Sequence, residues 1–416
     1  MKNLKGRAVF AQSGGPTAVI NSSIAGGLIE ALNQDQITGV LCSLHGIKGV
    51  LEENFVDIEK EDINELYALK NTPASAFGSV RYKLKDFNQD DSDYRRILEV
   101  FKKYDVRYFF YNGGNDSMDT CDKISRFMEK EGHPINVIGI PKTIDNDLVG
   151  TDHCPGFGSA AKYIATTVSE VRLDAIIYES PLVIILEIMG RNAGWLTASA
   201  ALAEVSGYGA DLIYLPEVPF SLDKFKKYVK KVVDEKRVCV VAVSEGIKTA
   251  DGKYVGEDAS QTDVFGHSAL GGVCGVLKSA VKSIGIKCKA IELNILQRCA
   301  SHCASKTDIE ESFESGRQAV LHAVNGETDK MIAFKRIAGK DYKIECVGLD
   351  LSTIANAEKK IPKTWITSDG TYLTKEFFDY ALPLIQGEPE RRFENGMPSY
   401  AKLKKYLLKY KSLRIS

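Results

Sequence analysis

The 416-residue chain carries almost no net charge, with 54 Lys and Arg against 55 Asp and Glu. Such a balance leaves no bulk basic footprint for nucleic acid and no general attraction to a polyanionic partner. Long hydrophobic runs are also missing. Glu187 breaks the best candidate, 182–189, so no window reaches the ~20 apolar residues that a membrane-spanning helix needs. Met1 to Arg7 has no apolar signal-peptide core and runs straight into a strand pattern. Nine cysteines, an odd count, are scattered without a repeating frame. That excludes a disulfide scaffold and reads as reduced thiols in the cytoplasm. Cys299, His302 and Cys303 lie close together, but no second ligand pair stands at zinc spacing. No internal repeat or low-complexity linker is visible. What is present is a globular composition, 44% apolar and 26% charged, in a chain too long for one ordinary core.

The chain is organised around residues 137–152. Val137 to Ile140 reads as a buried strand that Pro141 ends, because proline cannot donate to the ladder. Lys142, Thr143, Asp145 and Asp147 follow in the loop, the place where open α/β sheets keep their chemistry. Two carboxylates two residues apart, with a lysine upstream, suggest a base, a metal neighbourhood and an anion clamp in one turn. A polar turn whose side chains only satisfy backbone has the same composition.

Similar units flank this one. Ala8–Ala11 is a strand entering Gln12-Ser13-Gly14-Gly15-Pro16 and then a helix over 18–32, a geometry that aims backbone N–H groups at an anion. Its spacing matches neither the Walker loop nor the dinucleotide fingerprint. In the polar stretch 72–93, Arg81 and Lys83 could reach a phosphate, although such residues are more often solvated surface. Val106–Tyr111 runs into Asn112-Gly113-Gly114-Asn115-Asp116-Ser117 and a helix through 128. Asp116 can cap that helix. Beside a phosphate it would repel the anion unless a divalent cation lay between them, which makes it a candidate magnesium ligand.

Pro155–Ser159 opens a helix through 171, and strand 182–188 ends in Met189-Gly190-Arg191-Asn192-Ala193-Gly194-Trp195 before a small-residue helix, 196–204. Strands 211–215, 238–244 (ending at Glu245) and 290–296 (leading to Arg298) alternate with helices 221–236, 270–284 and 307–324. Residues 331–350 read as a hairpin, and the Lys- and Tyr-rich tail from 396 as a helix. The expected class is α/β, with two doubly wound, mostly parallel sheet domains, the active site in the cleft between them, and a C-terminal helical and hairpin extension. Boundaries are expected at 1–151, 152–300 and 301–416, the last a return segment packing across the other two. Glycine turns, cations and a carboxylate at successive strand ends point together to phosphoryl transfer.

Gly113 to Ser117, Pro141 to Asp147 and Met189 to Trp195 resemble the signatures of phosphofructokinases, over a span from the first glycine loop to about Asp308. With Phe77 to Lys83 and Pro155 to Ala160, the pattern is similar to the pyrophosphate-dependent bacterial branch. The resemblance implies a Mg2+-dependent, reversible transfer from pyrophosphate to fructose 6-phosphate. It makes Asp145 the base for the 1-hydroxyl, with Asp147 in support and Thr143 at the transferred phosphoryl. Lys142 joins these and, with Gly14, Gly15, Arg81, Asp116 and Ser117, forms the donor side. Ile144, Met189, Gly190, Arg191, Glu245 and Arg298, with Thr143 and Asp145, hold the sugar phosphate. The metal falls to Asp116 and Asn115, where the family's usual carboxylate aligns with Asn115. ATP-using members carry glycines at positions 116 and 142. Leu182 stands where the family has an arginine that reaches a neighbouring subunit's sugar phosphate, and Ile295 where it has a tyrosine. Alternatives are ATP as donor, sedoheptulose 7-phosphate as acceptor, and a non-catalytic regulatory subunit. A homo-oligomer, dimer or tetramer, is implied, with no nucleic-acid or membrane partner.

Overall fold

The computed structural model describes residues 4–262, 268–270, 272–339, 341–354 and 357–408. The strands in chain order are β1 Gly6–Gln12, β2 Ile37–Ser43, β3 Phe55–Asp57, β4 Val106–Gly113, β5 Asn136–Pro141, β6 Leu182–Ile188 and β7 Leu212–Tyr214. There follow β8 Val238–Ser244, β9 Glu257–Thr262, β10 Ser268–Leu270, β11 Lys287–Glu292, β12 Lys330–Arg336 and β13 Ile344–Asp350. Seven of them form one sheet in the order β13-β12-β5-β4-β1-β2-β3, and four form a second, β11-β6-β8-β7. The second sheet is parallel throughout. The first is parallel from β2 through β12 and antiparallel only at β3 and β13.

Both sheets are doubly wound because their strands are apolar on both faces. In β1 and β4, Val9, Ala11, Phe109 and Tyr111 enter one core, while Ala8, Phe10, Tyr108 and Phe110 enter the core on the opposite face. Phe10 pairs with Phe110 in register, and their rings stack at 4.5 Å. The second sheet divides likewise, with Ile184, Leu186 and Ile188 on one side and Val183 and Ile185 on the other. Against the first sheet, helix Ile20–Leu32 crosses helix Lys306–Val324 through glycines. A Cβ on Gly26 would sit 1.9 Å from the Phe313 carbonyl oxygen, and one on Gly316 would sit 1.8 Å from that of Ser23. The helices therefore touch backbone to backbone. Residues 330–350 thus return to the first sheet as the expected hairpin, β12 pairing with β5 and β13 with β12. No helix among the described residues is long and apolar enough to cross a membrane.

Three local expectations need correcting. The strand expected over 290–296 is β11, Lys287–Glu292, and Leu296–Cys299 is helical. The apolar alternation continues past the strand, but Asn294 turns to φ 43 and ends it. The small-residue segment after Trp195 is α-helical only to Ala198 and continues as a 3-10 helix over Ser199–Ser206. Among the described residues the tail is not helical: Met397–Pro398 pairs with Phe393–Glu394, and the chain then runs along the edge of β3. There Asp57 N–H donates to the Tyr406 carbonyl at 2.9 Å and Leu408 N–H to that of Phe55 at 2.8 Å. Open edge groups of β3 outweighed the helical pattern. Residues 409–416, the end of that expected helix, and 271, near the start of the helix expected over 270–284, lie outside the described residues.

Candidate active site

The C-terminal ends of β1, β4, β5, β6 and β8 supply the loops that line two adjoining cavities, the position expected for a ligand site in open α/β sheets. The larger, about 840 Å³, is lined by Gly14, Gly15, Arg81, Asn115, Asp116, Ser117, Lys142, Thr143, Asp145 and Asp147, with Arg191, Asn192 and Glu358 on its far wall. The smaller, about 270 Å³, is lined by Gly15, Thr143, Ile144, Asp145, Met189, Arg191, Glu245 and Arg298. Lys142, Thr143 and Asp145 border both, so the loop after β5 is the wall they share. Gly190 lies just behind, its N–H donating to Glu245 Oε1 at 3.2 Å and its carbonyl accepting from Ser244 Oγ at 2.6 Å.

Lys142 is the buried cation of this wall, 3% exposed. Its backbone N–H donates to the Gly113 carbonyl at 2.9 Å and its Nζ to the Gly15 carbonyl at 2.7 Å. The side chain thereby spans from the end of β5 to the glycine turn after β1, where Gly14 has φ 76. A Cβ on Gly15 would lie 3.0 Å from Arg298 Nη1, so the bare turn lets that arginine approach. Burial lowers the Lys142 pKa to about 8; Asp145 and Asp147 oppose this, while the nearby charges of Arg298 and Arg81 add to it.

The carboxylates answer in the opposite direction. Burial raises the Asp145 pKa to about 7, with Asp147, Glu245 and Glu358 pushing the same way and Lys142 pulling back. Asp147 is also raised, first by burial and then by Glu358, against its own backbone, Lys359 and the Thr143 hydroxyl. Thr143 orders this turn, since its Oγ1 accepts from Asp145 N–H at 3.1 Å. Glu245 is raised mainly by burial. A carboxylate poised near neutral pH suits proton abstraction, and a flanking buried ammonium suits a short anion.

On the opposite wall, helix Asn115–Lys130 points its N-terminus at the larger cavity, with Ser117 buried and Asp116 exposed in the first turn. Asn115 Nδ2 donates to the Ala357 carbonyl at 2.9 Å. Two residues that sequence reasoning left out complete the wall, Asn192 and Glu358, joined Nδ2 to Oε1 at 2.8 Å. Asn192 belongs to the Met189 to Trp195 motif, which gives it a signal in the sequence. Glu358 lies in the charged run Glu358-Lys359-Lys360, which reads as solvated surface and gives no signal. Leu182 opens β6 at the end opposite Met189 and is 2% exposed in the core, so it does not face this chain's own cleft. Ile295 is 54% exposed just before the turn carrying Arg298.

The fold and cleft define the class first: a doubly wound α/β protein whose strand-end loops can clamp a polyanion beside a poised carboxylate pair. The phosphofructokinase family model matches residues 7–320, and the chain belongs to that family. It is 45% identical to the pyrophosphate--fructose 6-phosphate 1-phosphotransferase of Halomonas elongata, over 97% of each chain. It is 43% identical to the protein of the same name from Methylococcus capsulatus, over 95% of each. The crystal structure of a pyrophosphate-dependent phosphofructokinase from Nitrosospira multiformis superposes with a TM-score of 0.89 at 40% identity, over 98% of each chain.

Proposed function

We propose that this phosphofructokinase transfers a phosphoryl group reversibly between pyrophosphate and the 1-hydroxyl of fructose 6-phosphate, giving fructose 1,6-bisphosphate and phosphate. The observation that carries the reading is the buried Lys142 ammonium set against Asp145 where the two cavities meet, with Asp147 beside it in the larger one. The full-length relatives bearing the pyrophosphate name support it. Gly14, Gly15, Arg81, Ser117 and Lys142 hold the donor in the larger cavity. Ile144, Met189, Gly190, Arg191, Glu245 and Arg298 hold the sugar phosphate in and around the smaller one. Asp145 takes the hydroxyl proton, Asp147 keeps that carboxylate basic, and Thr143 meets the transferred group. On this reading residues 1–151 form the donor domain, 152–300 the sugar domain and 301–416 the return segment. The working form is a cytoplasmic homo-oligomer.

Magnesium belongs to the same reading. Among the described residues no group of three or more His, Cys, Asp and Glu could hold a metal by itself. One carboxylate, Asp116, with the Asn115 amide beside it, is nevertheless what Mg2+ needs when substrate phosphates supply its other ligands. An ion bound there with pyrophosphate would spread the charge of the phosphate oxygens.

The test is a donor comparison with magnesium and fructose 6-phosphate, following bisphosphate formation with pyrophosphate or with ATP. Turnover with pyrophosphate and little with ATP is expected, and ATP-only turnover would reject the reading. The pH profile follows from the two shifted groups. A base must be deprotonated, so kcat/KM should fall below the Asp145 value of about 7. A lysine that holds the donor must be protonated, so kcat/KM should also fall above the Lys142 value of about 8. Bound pyrophosphate favours the ammonium, so the alkaline limb of kcat should lie at higher pH than that of kcat/KM. An acid limb near the ordinary Asp value of 3.8 would contradict the upward shift that burial gives Asp145.

A further inference from the structure

The matched family model ends at residue 320, yet the loop carrying Asp145 and Asp147 is gripped from beyond that point. Asn146, between the two carboxylates, has φ 55 and is fully buried. Asparagine tolerates this left-handed backbone, and here its side chain is tied at both ends. Nδ2 donates to the Tyr380 hydroxyl at 2.8 Å, while Oδ1 accepts from Cys154 N–H at 2.9 Å and from Lys359 Nζ at 3.4 Å. The Tyr380 hydroxyl in turn donates to the Asp152 carbonyl at 2.7 Å, and its ring packs on Trp195 and Trp365 at 5.3 and 5.4 Å. The Lys359 ammonium also donates to the Thr151 and Asp152 carbonyls at 3.1 and 2.8 Å.

The main chain adds to this grip. Lys359 N–H donates to the Asp147 carbonyl at 2.7 Å, and the Lys359 carbonyl accepts from Trp195 Nε1 at 2.8 Å. Residues 357–359 therefore form a strap bonded in turn to the helix start at Asn115, the loop at Asn192 and the loop at Asp147. These three points carry the donor wall, the sugar wall and the carboxylates.

We propose that Tyr380 and Lys359 are positioning residues for Asp145 and Asp147, acting through Asn146, so that residues 357–381, outside the matched family domain, form part of the catalytic apparatus. The inference rests on the reading of Asp145 as the base. These contacts hold Asn146 between the carboxylates, the Asp147 carbonyl beside it, and the Thr151 and Asp152 carbonyls where the same loop ends, so loosening either tether tilts both carboxylates without touching a substrate-binding side chain. A misplacement of about 1 Å can cost roughly a hundredfold in rate.

The test uses Tyr380→Phe, which keeps the ring and deletes one hydroxyl. Turnover should fall roughly ten- to hundredfold while KM for both substrates stays within about threefold. Asn146→Gly allows the same backbone turn but removes the tethered side chain. If Tyr380 acts through Asn146, the double variant should be no slower than Asn146→Gly alone. A Tyr380→Phe kcat within twofold of the parent, or effects that multiply in the double variant, would overturn the proposal. A second readout needs no substrate: amides of 143–148 should exchange hydrogen faster in Tyr380→Phe than in the parent, and equal exchange overturns it too. Failure of the unmodified chain to turn over would strike the functional reading instead, and exchange would still decide the positioning.

Discussion

Asp145→Asn should lower turnover by roughly 10²–10⁴, the usual worth of a general base, while binding of fructose 6-phosphate is largely kept. The two side chains have nearly the same shape, so the loss isolates the proton-accepting carboxylate. Stability should move the other way. A carboxyl whose pKa is raised in the folded protein binds its proton more tightly folded than unfolded. Stability then declines as pH rises from the ordinary 3.8 towards the folded value of about 7, and the full cost is present above that. The asparagine variant escapes this cost and the repulsion of Asp147, Glu245 and Glu358. Its melting temperature should exceed that of the parent at pH 8, and the gain should vanish below about pH 4, where both states of the parent are protonated. Steady-state kinetics and thermal melts at two pH values read both effects. A variant that loses sugar binding with kcat intact would remove Asp145 from its role, and one that melts lower at pH 8 would contradict the burial argument.

The parts legible in the sequence are those whose physics is local. Mostly apolar runs such as Val106–Tyr111 and Leu182–Ile188 read as buried strands, and both are strands, with only Arg107 partly exposed. Loops at their C-terminal ends carry polar residues because the sheet aims them at the cleft, so Lys142, Asp145, Asp116 and Arg191 could be picked out before their contacts were known. Edges were harder. The tail from 396 has a helical look, but the unpaired backbone of β3 takes it as an added extended segment. The end of β11 was misplaced because the apolar pattern runs on through a turn at Asn294, whose backbone conformation the pattern does not encode.

The strap 357–359 was invisible for a different reason. Two of its contacts are backbone carbonyls, of Ala357 and Lys359, accepting from the side chains of Asn115 and Trp195 more than a hundred residues away. Such bonds depend on where the chain arrives and place no demand on residue type. A stretch reading Glu358-Lys359-Lys360 is then indistinguishable from solvated surface, although Lys359 is buried enough for its pKa to be lowered. The buried Tyr380 likewise looks like an ordinary core aromatic until its hydroxyl is seen between Asn146 and the Asp152 carbonyl.

Combining Lys142→Gly with Asp116→Gly should shift donor preference from pyrophosphate towards ATP, the largest change in specificity that two substitutions here should produce. Lys142 Nζ lies at the glycine turn, 2.7 Å from the Gly15 carbonyl, and only 3.2 Å from where a Cβ on Gly14 would sit. It thus fills the floor of the larger cavity next to the turn while offering charge to a short donor. Asp116 stands exposed on the same cavity's wall, in the first turn of its helix. A longer nucleotide donor must pass both, meeting the bulk of the lysine and the negative charge of the aspartate. On the proposed reading, attraction of one ligand and exclusion of the other would be built from the same two side chains. A charge-assisted phosphate contact contributes about 1.5–3 kcal/mol, so loss of Lys142 alone should weaken use of pyrophosphate roughly ten- to hundredfold. Removing Asp116 as well should let ATP phosphorylate fructose 6-phosphate, giving the bisphosphate and ADP, at a rate the parent does not reach. Each single variant should gain less, because either side chain left in place still blocks the path. Measuring kcat/KM for both donors in the parent, the two single variants and the double separates the terms. If the double variant keeps its preference for pyrophosphate, nucleotide must be excluded elsewhere along the cavity, and Lys142 is left as a phosphate contact without a role in choosing the donor.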